Sequence, residues 1–571
     1  MKTPPASTYW AMPPCPRQQI MLLAPSVDEM IPADHVIREL DRIFEGLDWR
    51  RFEAEYDGAR GQPAIHPKRV AAGIFYGLLC GLRSSRKLEE GTRMRLDFIW
   101  LLEGQTIDHT TFAKFRTRFD EALKAVFRQV NAEALSRTGE AVMELVVDGT
   151  RMRANSDRHG ARTAEWLERR RAQLQAHIEQ GLAELAAQDL QDEPPAASAE
   201  QLQRHIATLA QELQRCEQAL AVVRERDTAK QAKEGAQAPA VRVPVTDPDA
   251  YVLPNKEGGY APNYTPVAGV DSRNGMILAA DVLADGSEAS ALLPLVETVK
   301  EAHGTEPGRV LCDSGFASGS NQAALAEAGI AVYTPVATAA PEQHPARRDD
   351  PAQPLSPERI PGLPRVKRTG VFDRNAFLYD AASDVYYCPM GQIMRPCRTA
   401  THLTADGPLR RTDYQGRRCT GCPLAAACLS RKAQNRIVGR DQFEAVREDT
   451  ARRMQSAAGR AIYRRRAPTI EGTFANTKSI MGLRRFLLRG LRKVRLEWLW
   501  ICTAFNLGKL LRLRVANRRP GTPPPPPRQE PPTRERTLTA AIVRIHHWSR
   551  SVLRLITVPA PECLSRLPQA T

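Results

Sequence analysis

The sequence has no uncharged apolar run of the roughly 18 residues that a membrane helix needs. Its most lipophilic stretch, Trp498 to Leu507, is bracketed by Arg495, Glu497 and Lys509 and reads as a buried helix. Between Met1 and Leu40 there is no succession of charged, apolar and small residues like that of a secretory leader, so the protein is expected in the cytoplasm. The Gly-x-x-x-x-Gly-Lys-Ser/Thr loop is absent, which excludes that mode of nucleotide binding. No repeat recurs at periods of about 20 to 50 residues, which excludes a solenoid. Acids are scarce where cations crowd. From Ala451 to Pro520 there are 18 Lys or Arg against two acids, Glu471 and Glu497.

What is present fits a large protein with an anionic partner. The 571 residues exceed one ordinary core, and the formal net charge of +16 favours nucleic acid. The sequence divides into six stretches. Residues 1–139 read as helical, with apolar periodicity through Val70, Ile74, Leu78 and Leu79 and again through Phe112, Phe115, Phe119 and Leu123, enough for a small all-helical core. Asp108 is placed to cap a helix that would present Lys114, Arg116 and Arg118 to DNA. Residues 140–160 and 241–337 read as α/β with a mixed sheet. Met143 to Asp148 and Arg309 to Cys312 are strands that each stop at an acid, and Asn274-Gly275 marks a hairpin. Residues 161–240 hold two antiparallel helices, the second ending near Arg226, and a polar linker. Residues 338–440 combine an aperiodic loop to about Lys367 with a Cys-rich module. Residues 441–520 are basic and helical, and 521–571 form a Pro-rich linker and tail.

Three acids stand out. Asp148, in Asp-Gly-Thr, and Asp313, in Asp-Ser-Gly-Phe, end their strands, where hard oxygen donors can converge on divalent cations. Glu471 follows Tyr463-Arg-Arg-Arg466 and precedes Lys478 by seven positions, so acid and cation share one helix face. These motifs, in this order, resemble a DDE-type transposase of bacterial insertion sequences, the group with a Tyr, Arg, Glu, Lys signature and a Cys-rich insert. The resemblance covers most of Asp34 to Leu511. One departure is that four residues separate Arg466 from Glu471 where the signature has three.

The resemblance implies a ribonuclease-H-like catalytic core with Asp148, Asp313 and Glu471 as catalytic acids. They would hold magnesium, or manganese, in a two-metal site that cleaves DNA and joins 3′ ends to target DNA by transesterification. It implies contacts from Tyr463, Arg466 and Lys478 to transposon-end DNA, continued by Arg484, Arg485 and Arg489, and a homodimer or higher oligomer on terminal inverted repeats and target DNA, with no membrane. Localisation would be cytoplasmic, on the nucleoid when bound to DNA. Two other readings share these features: a repressor descended from a transposase, and a ribonuclease-H-like nuclease without strand transfer.

Five of the 11 cysteines fall between Cys388 and Cys428. Cys419-Thr-Gly-Cys422 and Cys428 supply three thiols, and Cys388 or Cys397 a fourth, which would close a tetrahedral structural zinc site. The alternative is a set of reduced, partly buried cysteines. No histidine accompanies the cluster, so a catalytic zinc is not expected.

Overall fold

The computed structural model describes residues 26–56, 63–139, 142–189, 196–255, 258–284, 286–304, 306–404, 407–417, 419–430 and 433–516. The Pro-rich stretch and tail, 521–571, lie outside these residues.

Leu145, Val146 and Val147 are fully buried in β1 (Glu144–Gly149), the pattern of a strand covered on both sheet faces. Antiparallel to β1 runs β2 (Tyr260–Asp271), and antiparallel to β2 runs β3 (Ile277–Leu283), joined through the Asn274-Gly275 turn with Gly275 at φ 62°. On the other flank β4 (Arg309–Cys312) is parallel to β1, and β5 (Ala331–Tyr333) is parallel to β4. The order across the sheet is β3-β2-β1-β4-β5, with Met152–Arg153 and Tyr251–Pro254 pairing on β2. The fold is therefore mixed α/β.

The helical N-terminal region does not keep a core to itself. Helix α1 (Asp120–Thr138) and the helices before it share one buried cluster with the sheet. The reason lies at the far end of the sequence. In the C-terminal helix (Leu491–Ala516), Val494, Trp498, Ile501 and Phe505 are all buried, so one side meets the sheet and another meets the N-terminal helices. Trp498 Nε1 donates to Val267 O on β2 at 3.1 Å, while the Trp500 ring centroid lies 4.7 Å from that of Phe75. At edge strand β3, Asn506 Oδ1 accepts from Ile277 N at 3.0 Å, and Asn131 and Asn506 amides both donate to Ile277 O. Two buried amides thus cover an edge that would otherwise present open backbone groups.

Two antiparallel helices, α2 (Ala164–Asp189) and α3 (Ala196–Glu234), leave the sheet after β1 and pack on each other through Leu167, Leu174, Cys216 and Leu220. Helix α3 runs past Arg226 because Ala229, Lys230, Gln231, Ala232 and Lys233 are good helix formers. Residues 338–367 read as a loop, and they are irregular, but they are packed. Ala346, Leu355 and Leu363 are buried against Phe372, Phe377 and Met394. Apolar residues that enter a core singly, from turns, leave no period in the sequence.

They floor a second, antiparallel sheet in the order β6 (Leu378–Asp380), β7 (Val385–Tyr387), β8 (Ile393–Thr404), β9 (Gly407–Gln415) and β10 (Ile437–Asp441).

Candidate active site

The register of the main sheet brings the first two acids together. Val147 of β1 pairs with Cys312 of parallel β4, so Asp148 and Asp313 follow side by side at the ends of neighbouring strands. Each carboxylate folds back onto the next amide: Asp148 Oδ1 accepts from Gly149 N at 2.8 Å and Asp313 Oδ1 from Ser314 N at 2.7 Å. Asp148 is half-buried and Asp313 exposed.

Helix α4 (Leu292–His303) and α5 (Gly319–Glu327) follow β3 and β4, and α6 (Arg466–Ser479) lies against β1. Its cations pin it along one side of that strand, on residues 144, 148 and 150. Arg465 bonds Glu144 at 2.5 Å, Arg466 pairs with Asp148 Oδ2 at 2.9 Å, and Lys478 Nζ donates to Thr150 Oγ1 at 2.5 Å. The extra residue between Arg466 and Glu471 therefore does not carry Arg466 away from the strand-end acid. Tyr463, half-buried just before α6, stands within electrostatic reach of Arg466, Asp313 and Asp148, and burial pushes its phenol up. Glu471 is exposed on α6, two helical turns from Lys478.

A residue that sequence reasoning missed stands between the two strand ends. Glu288, half-buried at the entry to α4, has its carboxyl held above the usual carboxylate range, first by burial and then by Asp148 and Asp313, with Arg151 and Arg466 pulling the other way. In sequence it is one acid in Asp-Gly-Ser-Glu288 before a helix, indistinguishable from a helix-capping acid. Arg465 and Thr150 were missed for the same reason: only the α6–β1 contact gives them a role.

The cations proposed for DNA separate into two kinds. Arg484, Arg485 and Arg489 are exposed on the segment between α6 and the C-terminal helix, and Lys114 is exposed on the helix His109–Phe115. Asp108 caps that helix, accepting from Thr110 N at 2.8 Å and Thr111 N at 3.0 Å. Arg118 is exposed and stacks on Tyr56 and Phe119. Arg116 differs: it turns inward, donates to Arg83 O, and is pulled down to about 10 by burial. It ties the N-terminal helices together instead of facing a ligand, because a helix only two turns long cannot point cations at 114, 116 and 118 the same way.

In the Cys-rich module, Cys388, Cys419, Cys422 and Cys428 line one cavity. Backbone amides of Met390 and Gln392 point at the Cys388 thiol, and Arg436 N donates to Cys419 Sγ at 3.4 Å. Gly391 and Gly421 take left-handed φ values of 78° and 83°, letting the chain turn tightly at each thiol pair. Burial and the three neighbouring thiols push Cys428 up to about 11. Cys397 stands apart, exposed on β8 with its thiol donating to Asp413 O. None of the nine described cysteines forms a disulfide. Among the described residues, no three His, Cys, Asp or Glu side chains stand in the tight arrangement of a formed metal site, and no helix is long and apolar enough to cross a membrane.

Residues 387–511 match a family model described as a transposase DDE domain, and residues 25–118 match one described as a transposase domain. No curated protein and no solved structure matches the chain. The first stretch contains Tyr463, Arg466, Glu471, Lys478 and the four converging thiols; Asp148 and Asp313 lie between the two stretches, so their pairing rests on the sheet register. With a transposase domain matched on either side of the strands that bear the acids, the chain belongs to the DDE-type transposases of an insertion-sequence family.

Proposed function

We propose that the protein is an active transposase: it binds the terminal inverted repeats of its element, cleaves them, and joins the freed 3′ ends to target DNA. The observation that carries this reading is the meeting of Asp148 and Asp313 at neighbouring strand ends with Tyr463, Arg466 and Lys478 around them. The strand order β3-β2-β1-β4-β5, with only β2 antiparallel to its neighbours, supports a ribonuclease-H-like core.

The donors at the strand ends are carboxylate oxygens, whose chemistry suits a small hard cation such as magnesium or manganese. Asp148, Asp313 and Glu471 would hold it. When bound, divalent ions acidify the attacking hydroxyl or water and neutralise charge on the scissile phosphate. The chain's own groups do the rest. Arg466 and Lys478 carry donors suited to phosphate oxygens, and Arg466 can exchange the Asp148 carboxylate for a phosphate without losing a charged partner. Tyr463 offers a ring to an unstacked base and a hydroxyl to the backbone. Exposed Arg484, Arg485, Arg489 and Lys114 extend the phosphate path.

The four converging thiols would hold a structural zinc. Thiolate donors and the amides aimed at Cys388 and Cys419 fit that ion, and the site would fix the second sheet without taking part in chemistry. The protein would act as a dimer or higher oligomer, each copy engaging one end.

The test is incubation of purified protein with magnesium, end DNA and a target plasmid. The expected product is end DNA joined covalently to the plasmid. End binding without nicking would favour a repressor, and nicking without joining a nuclease.

A further inference from the structure

We propose that Glu288 is a fourth carboxylate of the catalytic centre and shares in holding its divalent cation. This rests on the transposase reading and adds a residue that the Asp, Asp, Glu pattern does not include.

The geometry is specific. Glu288 precedes the single turn Ala289–Ala291 that opens α4, so it reaches the site from a different element than either strand. Its carboxylate lies between the backbones that follow the two aspartates. A Cβ on Gly149 would stand 3.1 Å from Glu288 Oε1, and a Cβ on Gly315 would stand 2.7 Å from Oε2. Gly149 directly follows Asp148, and Gly315 is two positions beyond Asp313. The lack of side chains at these two positions leaves the space that the carboxylate fills. Neither glycine has a left-handed φ, so backbone conformation does not account for them.

A carboxylate half-buried beside two others is disfavoured by repulsion and lost hydration unless positive charge offsets it. Arg466 is already engaged with Asp148. A divalent cation among the three groups supplies the remaining charge, and oxygen donors from separate elements are what an octahedral ion of this kind accepts.

The experiment measures manganese binding to the full-length protein by electron paramagnetic resonance, with end-DNA binding followed by gel shift. E288Q is expected to weaken manganese binding about tenfold or more, the scale of losing one group from a metal centre. End-DNA binding should be retained. G315A keeps the carboxylate but displaces it, since the added methyl meets only the mobile end of a side chain, and it should weaken manganese binding in the same direction. G315A carries the test if E288Q does not fold. E301Q, at an exposed acid on α4, should leave binding unchanged. D148N separates the two levels of argument. Weakened binding in D148N with unchanged binding in E288Q and G315A overturns the role of Glu288 alone. Unchanged binding in D148N as well overturns the metal centre itself.

Discussion

The strand-end acids and the converging thiols are both sets of metal-ligating side chains, but they are built in opposite ways. The acids stand on regular elements, and their positions follow from strand register and helix periodicity. They remain reachable: Asp313 and Glu471 are exposed, and Asp148 carries a displaceable arginine. The thiols stand on tight turns with left-handed glycines, and Cys388 and Cys428 are pushed up by burial. A site that must admit a phosphate needs open ligands on a rigid frame, whereas a site that only fastens a module can be closed.

The largest expected effect breaks the two apart. C422S should lose zinc, measured by atomic emission, and unfold the second sheet, at a cost on the order of several kcal/mol because binding free energy is folding free energy at such a site. D148N should keep its zinc and melt close to the parent protein. Equal zinc content in C422S and the parent would remove the distinction.

A smaller effect sharpens it. R466A removes the cation that holds Asp148 in a partly exposed pair, so urea denaturation should show a loss of about 1 kcal/mol or less. End cleavage should nevertheless fall far more than stability does. Comparable losses would make Arg466 a structural residue only.

Much of this was legible in the sequence. The strands ending at Asp148 and Asp313, the Asn274-Gly275 hairpin, the Asp108 cap and the buried run Trp498 to Leu507 all follow from periodicity, turn residues and capping, which are local. What was not legible depends on packing between distant segments. Arg116 has the same neighbours in sequence as Lys114 and Arg118, yet it faces inward because Arg83 O lies there. Glu288 acquires meaning only where α4 meets the strand ends. The choice of Cys388 over Cys397 required the turn at Gly391, which brings one thiol to the cavity while β8 carries the other outward. The shared core of the N-terminal helices and the sheet depends on a helix nearly 400 residues away.

The most direct test of the central claim is magnesium-dependent nicking of end DNA by D148N, D313N and E471Q, side by side with the parent and with gel shift as the control for binding. All three variants should fall to background while still shifting end DNA. Nicking at the parental rate by any one of them would contradict its place in the catalytic centre.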